Sequence, residues 1–116
     1  MREKIELFKA LSEPNRVRIL LLLLNGRMCV CEITSILGIS MATVSNHLSI
    51  LRKAGFLEDE KDGKWIRYGI TKNFKNPMIK EIIDCLAKWF ADEEVIKNDE
   101  IKVKKILNGS LVCDTV

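Results

Sequence analysis

The sequence predicts a mainly α-helical domain that carries one β-hairpin, and three observations lead there. Apolar residues recur at helical spacing along most of the chain. An Asp62-Gly63 pair separates two short strand-like runs. One helical stretch, Ser40 to about Ala54, is apolar on one face and small and polar on the other. At 116 residues the chain is read as a single domain over 1–109, followed by a short flexible tail, 110–116.

The elements follow in order. Ile5, Leu7, Phe8 and Leu11 mark a short amphipathic helix over 3–11. Ser12 is a good N-cap for a second helix from Pro14 to Leu24, because proline is tolerated in a first turn. That helix is apolar almost all round and is expected to be the central buried one. Cys29 to Leu37 reads as a third helix stopped by Gly38, and Ser40 starts a fourth that Gly55 closes. Next come two strands, 56–61 and 64–70, joined at Asp62-Gly63, a pair suited to a type I′ turn. After Pro77 a long helix bears two apolar stripes, more than a small core can cover, and the surplus suggests a subunit interface. A last helix is expected over 99–107. The predicted order is thus four helices, a hairpin and two helices, with dimerisation through the terminal helices.

Net charge is only +3, so the total says little about partners. Its distribution says more, since Arg52, Lys53, Lys61, Lys64 and Arg67 fall in the middle third. The longest apolar run, Ile19 to Leu24, is six residues, far short of the ~20 that span a bilayer. No apolar signal core follows Met1, and a cytoplasmic location is expected. In that reducing setting the four cysteines are expected to be free, metal-bound or redox-active rather than structural. An enzyme is not expected. There is no Ser/His/Asp or Cys/His constellation with a base, no phosphate-cradling glycine loop and no Cys-x-x-Cys motif.

Helix, short turn, polar-faced helix and basic hairpin together form the plan of a winged helix-turn-helix, whose second helix enters the major groove. The residues that carry a wider likeness are Leu11 to Leu20, the Cys29-Val30-Cys31-Glu32 box, Thr43 to Leu48 with Leu51 and Gly55, and Gly63 to Tyr68. On these the chain resembles the arsenical-repressor (ArsR/SmtB) family of metal-sensing transcription factors over nearly its whole length. The resemblance implies a homodimeric repressor that leaves a pseudo-palindromic operator, double-stranded DNA, when its inducer binds. It implies base or phosphate contacts from Thr43, Ser45, Asn46 and His47, and phosphate contacts from Ser40 and Lys53. Lys64 and Arg67 would act from the wing. For His47, at the edge of the apolar face, helix packing is the alternative. Lys61 and Lys64 are open to the reading of a solvated hairpin tip.

Cys29-Val30-Cys31 is the segment with chemistry. Soft thiolates select arsenic(III) or antimony(III), with cadmium or lead as the alternative, over hard cations. A helix N-terminus would lower the thiol pKa. In a regular helix residues i and i+2 point about 200° apart, so chelation is expected to require the helix start to unwind or bend. Two sulfurs leave a trivalent arsenic one ligand short, and the third cysteine of the arsenic repressors is replaced here by Thr34. Cys113 is the candidate third ligand, from the same chain or a partner; its four residues beyond Gly109 reach roughly 13 Å. Cys85 is the other candidate, though its place on the long helix suits packing, and binding by the pair alone with a small third ligand is the remaining alternative. A thiol redox or persulfide switch through Cys29, Cys31 or Cys113 is a further alternative.

Overall fold

A computed structural model describes residues 1–108; Gly109 and the expected tail, with Cys113, lie outside the described residues. The elements run α1 (Arg2–Ala10), α2 (Pro14–Leu23), β1 (Met28–Cys29), α3 (Val30–Leu37), α4 (Met41–Ala54), β2 (Leu57–Asp62), β3 (Trp65–Ile70), α5 (Pro77–Trp89) and α6 (Glu94–Leu107). This is a winged helix-turn-helix, as expected, with two departures. A short strand precedes α3, and α6 starts five residues before the expected Asp99.

The α2 helix is central because, beyond Asn15, Arg16 and Arg18 in its first half, its sequence is apolar all round. Val17 and Ile19 to Leu23 are all buried, and each such side chain contributes about 1.5–3 kcal/mol relative to exposure. Around it one buried cluster draws Leu7 of α1, Ile33 of α3, Val44, Leu48 and Leu51 of α4, Ile79 and Ile83 of α5, and Val103 of α6. The junction before α2 differs in detail from expectation. Ser12 Oγ donates to the Lys9 carbonyl at 2.7 Å and so closes α1. The α2 N-cap is Glu13, whose carboxylate accepts from Asn15 N–H at 3.0 Å.

The α6 helix is tied to α2 by a buried ion pair. Asp99, 3% exposed, accepts from Arg18 Nε at 2.8 Å and Nη2 at 2.9 Å. That two-pronged contact holds the guanidinium pKa above its ordinary value. Asp99 therefore lies inside α6 rather than at its start.

The sheet order is β1-β3-β2, all antiparallel. Asp62 faces Trp65 across the hairpin, so the two loop residues are Gly63 and Lys64, one position later than expected. Gly63 has φ +62°, and no non-glycine residue among those described has positive φ. Glycine in the first of the two loop positions is the type II′ preference, not the I′ arrangement that Asp-Gly suggested. Gly69, mid-strand in β3, is bare for a reason. A Cβ there would lie 2.7 Å from Arg27 Cγ, because the Arg27 stem crosses that face. Among the described residues no single helix is long and apolar enough to cross a membrane.

Candidate nucleic-acid interface and thiol site

The recognition element is built by its caps. Ser40, extended at φ −66° and ψ 149°, accepts from Thr43 N–H at 3.2 Å, and its hydroxyl pairs with Thr43 Oγ1 at 2.8 Å. Gly55 ends α4 in the left-handed region at φ +97°. Val44, Leu48 and Leu51 are fully buried, which leaves Met41, Ala42, Thr43, Ser45 and Asn46 exposed at the N-terminal end and Arg52 and Lys53 at the other. Among the expected DNA-contacting residues, Ser40, Thr43, Ser45, Asn46 and Lys53 thus lie on the open surface. So does Lys64, which stacks over the Trp65 ring at 5.2 Å.

Two of the expected residues have side-chain partners within the fold. His47 is 7% exposed and turns inward from that face. Its Nδ1 lies 3.1 Å from Arg16 Nη1, a cationic donor, so Nδ1 is the accepting nitrogen. Its Nε2 lies 2.8 Å from Glu13 Oε2, at ion-pair distance though out of line for a hydrogen bond. Arg16 in turn donates from Nε to the Ala10 carbonyl at 2.6 Å. His47 therefore pins α4 to the α1–α2 junction, the packing alternative to a DNA contact. Arg67 is half-buried: its Nε donates to Asp62 at 3.0 Å and its Nη1 to the Arg27 carbonyl at 3.4 Å. The structure does not present it freely at the wing tip.

The thiol pair sits where β1 becomes α3. Cys29 is extended (φ −83°, ψ 164°) and is the N-cap of α3, so Cys31 is only the second helical residue. The pair is not two positions apart on a regular helix, and the expected unwinding is unnecessary. The sulfurs already stand 3.4 Å apart, in contact but not bonded to each other. Cys31 is disulfide-bonded in this structure, so a thiolate-binding form is the reduced one.

Cys29 and Glu32 form a capping box with sulfur in the place usually held by a hydroxyl. Glu32 N–H donates to Cys29 Sγ, and Glu32 Oε1 accepts from Cys29 N–H at 2.9 Å. The electrostatics correct the expected lowering of the thiol pKa. Burial pushes the Cys29 thiol up, and the Glu32 carboxylate adds to the rise; the Glu32 N–H and the charge of Arg67 work the other way. Sequence reasoning missed Glu32, although the Cys-x-x-Glu spacing is that of a capping box with one substituted letter.

Two links run from this site toward the DNA-facing surface. The Cys29 backbone pairs opposite Arg67 of β3, the central strand of the wing sheet. Arg27, two residues earlier, ion-pairs with Glu58 of β2 and lies 3.6 Å from Glu60. Glu58 also accepts from Lys72 N–H at 3.0 Å and from the Thr71 hydroxyl at 3.2 Å, which with Arg27 holds its carboxyl below the usual range.

As to ligands, the described part contributes two soft sulfurs. Among the described residues no group of three His, Cys, Asp or Glu side chains is placed to hold an ion. Cys85 is half-buried on α5, and Cys113 lies outside the described residues. Thr34, in the position where the arsenic repressors carry a cysteine, has a buried hydroxyl without a hydrogen-bond partner among the described residues.

Comparison with known proteins adds four findings. Residues 13–59 match a family model described as bacterial regulatory protein, arsR family. The chain is 37% identical over 94 residues to the arsenical resistance operon repressor of Escherichia coli, covering 80% of this chain and 78% of that one. It is 45% identical over 69 residues to the cadmium resistance transcriptional regulatory protein of Listeria innocua, covering 59% of this chain and 57% of that one. Among solved structures, a homodimeric winged helix-turn-helix DNA-binding domain from Mycobacterium bovis aligns with TM-score 0.64 at 27% identity. That alignment covers 80% of this chain and 82% of the other.

Proposed function

Because this chain belongs to the arsR family of bacterial regulatory proteins and is a DNA-binding transcriptional repressor, we propose that its inducer is arsenic(III) or antimony(III), held by Cys29 and Cys31. The observation that carries this reading is the convergence of the two sulfurs at 3.4 Å without any distortion of α3. Soft sulfur donors this close can serve one thiophilic centre, and a trivalent arsenic would take them as two of its three ligands. Cys113 is the proposed third ligand.

The named relatives are regulators of arsenical resistance and of cadmium resistance, so cadmium or lead is the alternative ligand. The thiols would hold the bound species while the Glu32 N–H, directed at Cys29 Sγ, stabilises the negative sulfur. The signal would travel by the strand pairing of Cys29 with Arg67, and through α3 into α4, rather than by unwinding of a helix. The repressor acts in the cytoplasm as a homodimer on a pseudo-palindromic operator. Exposed Phe8 on α1 and Trp89 on α5 are the apolar surfaces that support a subunit interface. Ser45, Asn46 and Thr43 read bases, and Ser40, Lys53 and Lys64 hold phosphates. His47 positions α4 instead.

The test is arsenite-dependent release from operator DNA by the reduced protein. Wild type should release, and the Cys29→Ser/Cys31→Ser double variant should bind DNA yet ignore arsenite. Unchanged release in the double variant would remove the thiol pair from the mechanism.

A further inference from the structure

The N-terminal turn of α4 is largely carbon on its open side, which is unusual for a helix that reads base edges. Met41 is 51% exposed, and Ala42 and Thr43 beside it are exposed too. One exposed methionine alone needs no explanation. Three aliphatic groups in one turn, at the end of the helix that a helix-turn-helix directs at the bases, do need one.

The polar inventory of this turn is already partly spent. The Ser40 and Thr43 hydroxyls are paired with each other, and Ser40 also caps the Thr43 N–H. His47 faces inward. From Ser40 to Leu51 there is no Lys, Arg, Asp or Glu. Arg52 lies eleven positions beyond Met41, about 16 Å along the axis, in reach of phosphates rather than of the bases under the first turn. The cationic fork that commonly reads guanine O6 and N7 is therefore missing from the part of α4 that enters the groove. What remains is one carboxamide, Asn46, suited to adenine N6 and N7, the exposed Ser45 hydroxyl, the half-buried Ser49 one turn on, and the aliphatic turn. In the major groove the one apolar base feature is the C5-methyl of thymine.

Resting on the DNA-reading role of α4, we infer that Met41 and Ala42 are specificity-determining residues that pack on thymine C5-methyl groups in each operator half-site. The flexible thioether adapts to a methyl without demanding one geometry. Ala42 is short enough to let the helix seat while it covers a second methyl. Asn46, one turn further along, would read an adenine on the same stretch, so each half-site contains a thymine-and-adenine core.

The test uses the full chain and a duplex enriched by it from a randomised library. Each thymine of the enriched duplex is replaced in turn by deoxyuridine, which removes the methyl and keeps every hydrogen-bonding group. Two positions per half-site should each weaken binding about four-fold, the worth of one buried methyl. In Met41→Ala, an exposed-site change checked for folding by circular dichroism, the penalty at one of those positions should vanish while the other persists. Neutral deoxyuridine substitution at every position would overturn the inference. So would penalties that are the same in Met41→Ala, or an enriched half-site that lacks thymine. If no sequence is enriched at all, the DNA-reading role of α4 fails first, and this inference fails with it.

Discussion

Lowering the pH from about 8 to about 6 separates the two classes of ligand at the thiol pair, because Cys29 keeps its proton throughout that range. Burial pushes its thiol above the ordinary value, which is itself above neutrality. The proton must therefore leave when a divalent cation binds: a thiol and a cation give a metal thiolate and a free proton. The sign follows directly. Each released proton weakens apparent binding about ten-fold per pH unit of acidification, so Cys29 alone costs about 100-fold over two units. If Cys31 is also protonated, the loss approaches about 10,000-fold. Arsenous acid behaves differently: each As–OH and thiol condense to an As–S bond and water, and no proton is released. For Cys29, protonated throughout this range, that exchange makes the arsenite affinity independent of pH. The assay is a titration of the reduced protein at both pH values, by thiolate absorbance for arsenite and with a competing chelator for cadmium. A cadmium affinity that falls less than about ten-fold would contradict a buried, protonated Cys29 as ligand. An arsenite affinity that falls as steeply as cadmium's would refute the condensation.

Three further outcomes follow from the packing. Asp99→Asn leaves the Arg18 guanidinium facing an amide in a site that is almost fully buried. It should cost about 2–4 kcal/mol in denaturant unfolding at fixed protein concentration, somewhat below the figure for a fully buried pair because Arg18 keeps some exposure; a loss under about 0.5 kcal/mol would mean the pair is inert. Glu32→Gln removes the carboxylate that helps raise the Cys29 pKa, so iodoacetamide should modify Cys29 faster near pH 8, and an unchanged rate would exclude Glu32 from control of the thiol. Gly69→Ala places a methyl against Arg27 Cγ and should destabilise by about 1–3 kcal/mol, a loss that Arg27→Ala in the same chain should largely restore.

Much of this fold is legible because the helical signals agree with one another. The apolar run of α2, the Ser40 cap and Gly55 stop of α4, and the stripes of α5 all coincide with the structure. The hairpin is legible as an element but not in its register, since Asp-Gly names a turn that Gly63-Lys64 makes one residue later. β1 was not legible: two residues carry no alternation, and their pairing with β3 depends on contacts about forty positions away. Its consequence for the site is large, because it takes Cys29 out of the helix and sets the sulfurs side by side. The inward turn of His47 was hidden for another reason. A residue at the edge of an apolar stripe faces either way, and its partners Glu13 and Arg16 sit at the start of α2, two helices earlier. For α6 a signal existed: Glu93 and Glu94 stand at its start, where acidic residues favour a helix N-terminus.

The central claim is that Cys29 and Cys31 bind the inducer and thereby release DNA. It is tested most directly by adding arsenite to the reduced protein on labelled operator duplex, with thiolate absorbance and DNA anisotropy followed in the same cuvette. The account predicts that both signals saturate together near one arsenic per chain, and that the Cys29→Ser/Cys31→Ser variant shows neither change while still binding DNA. Release without a thiolate band, or release that persists in that variant, would contradict it.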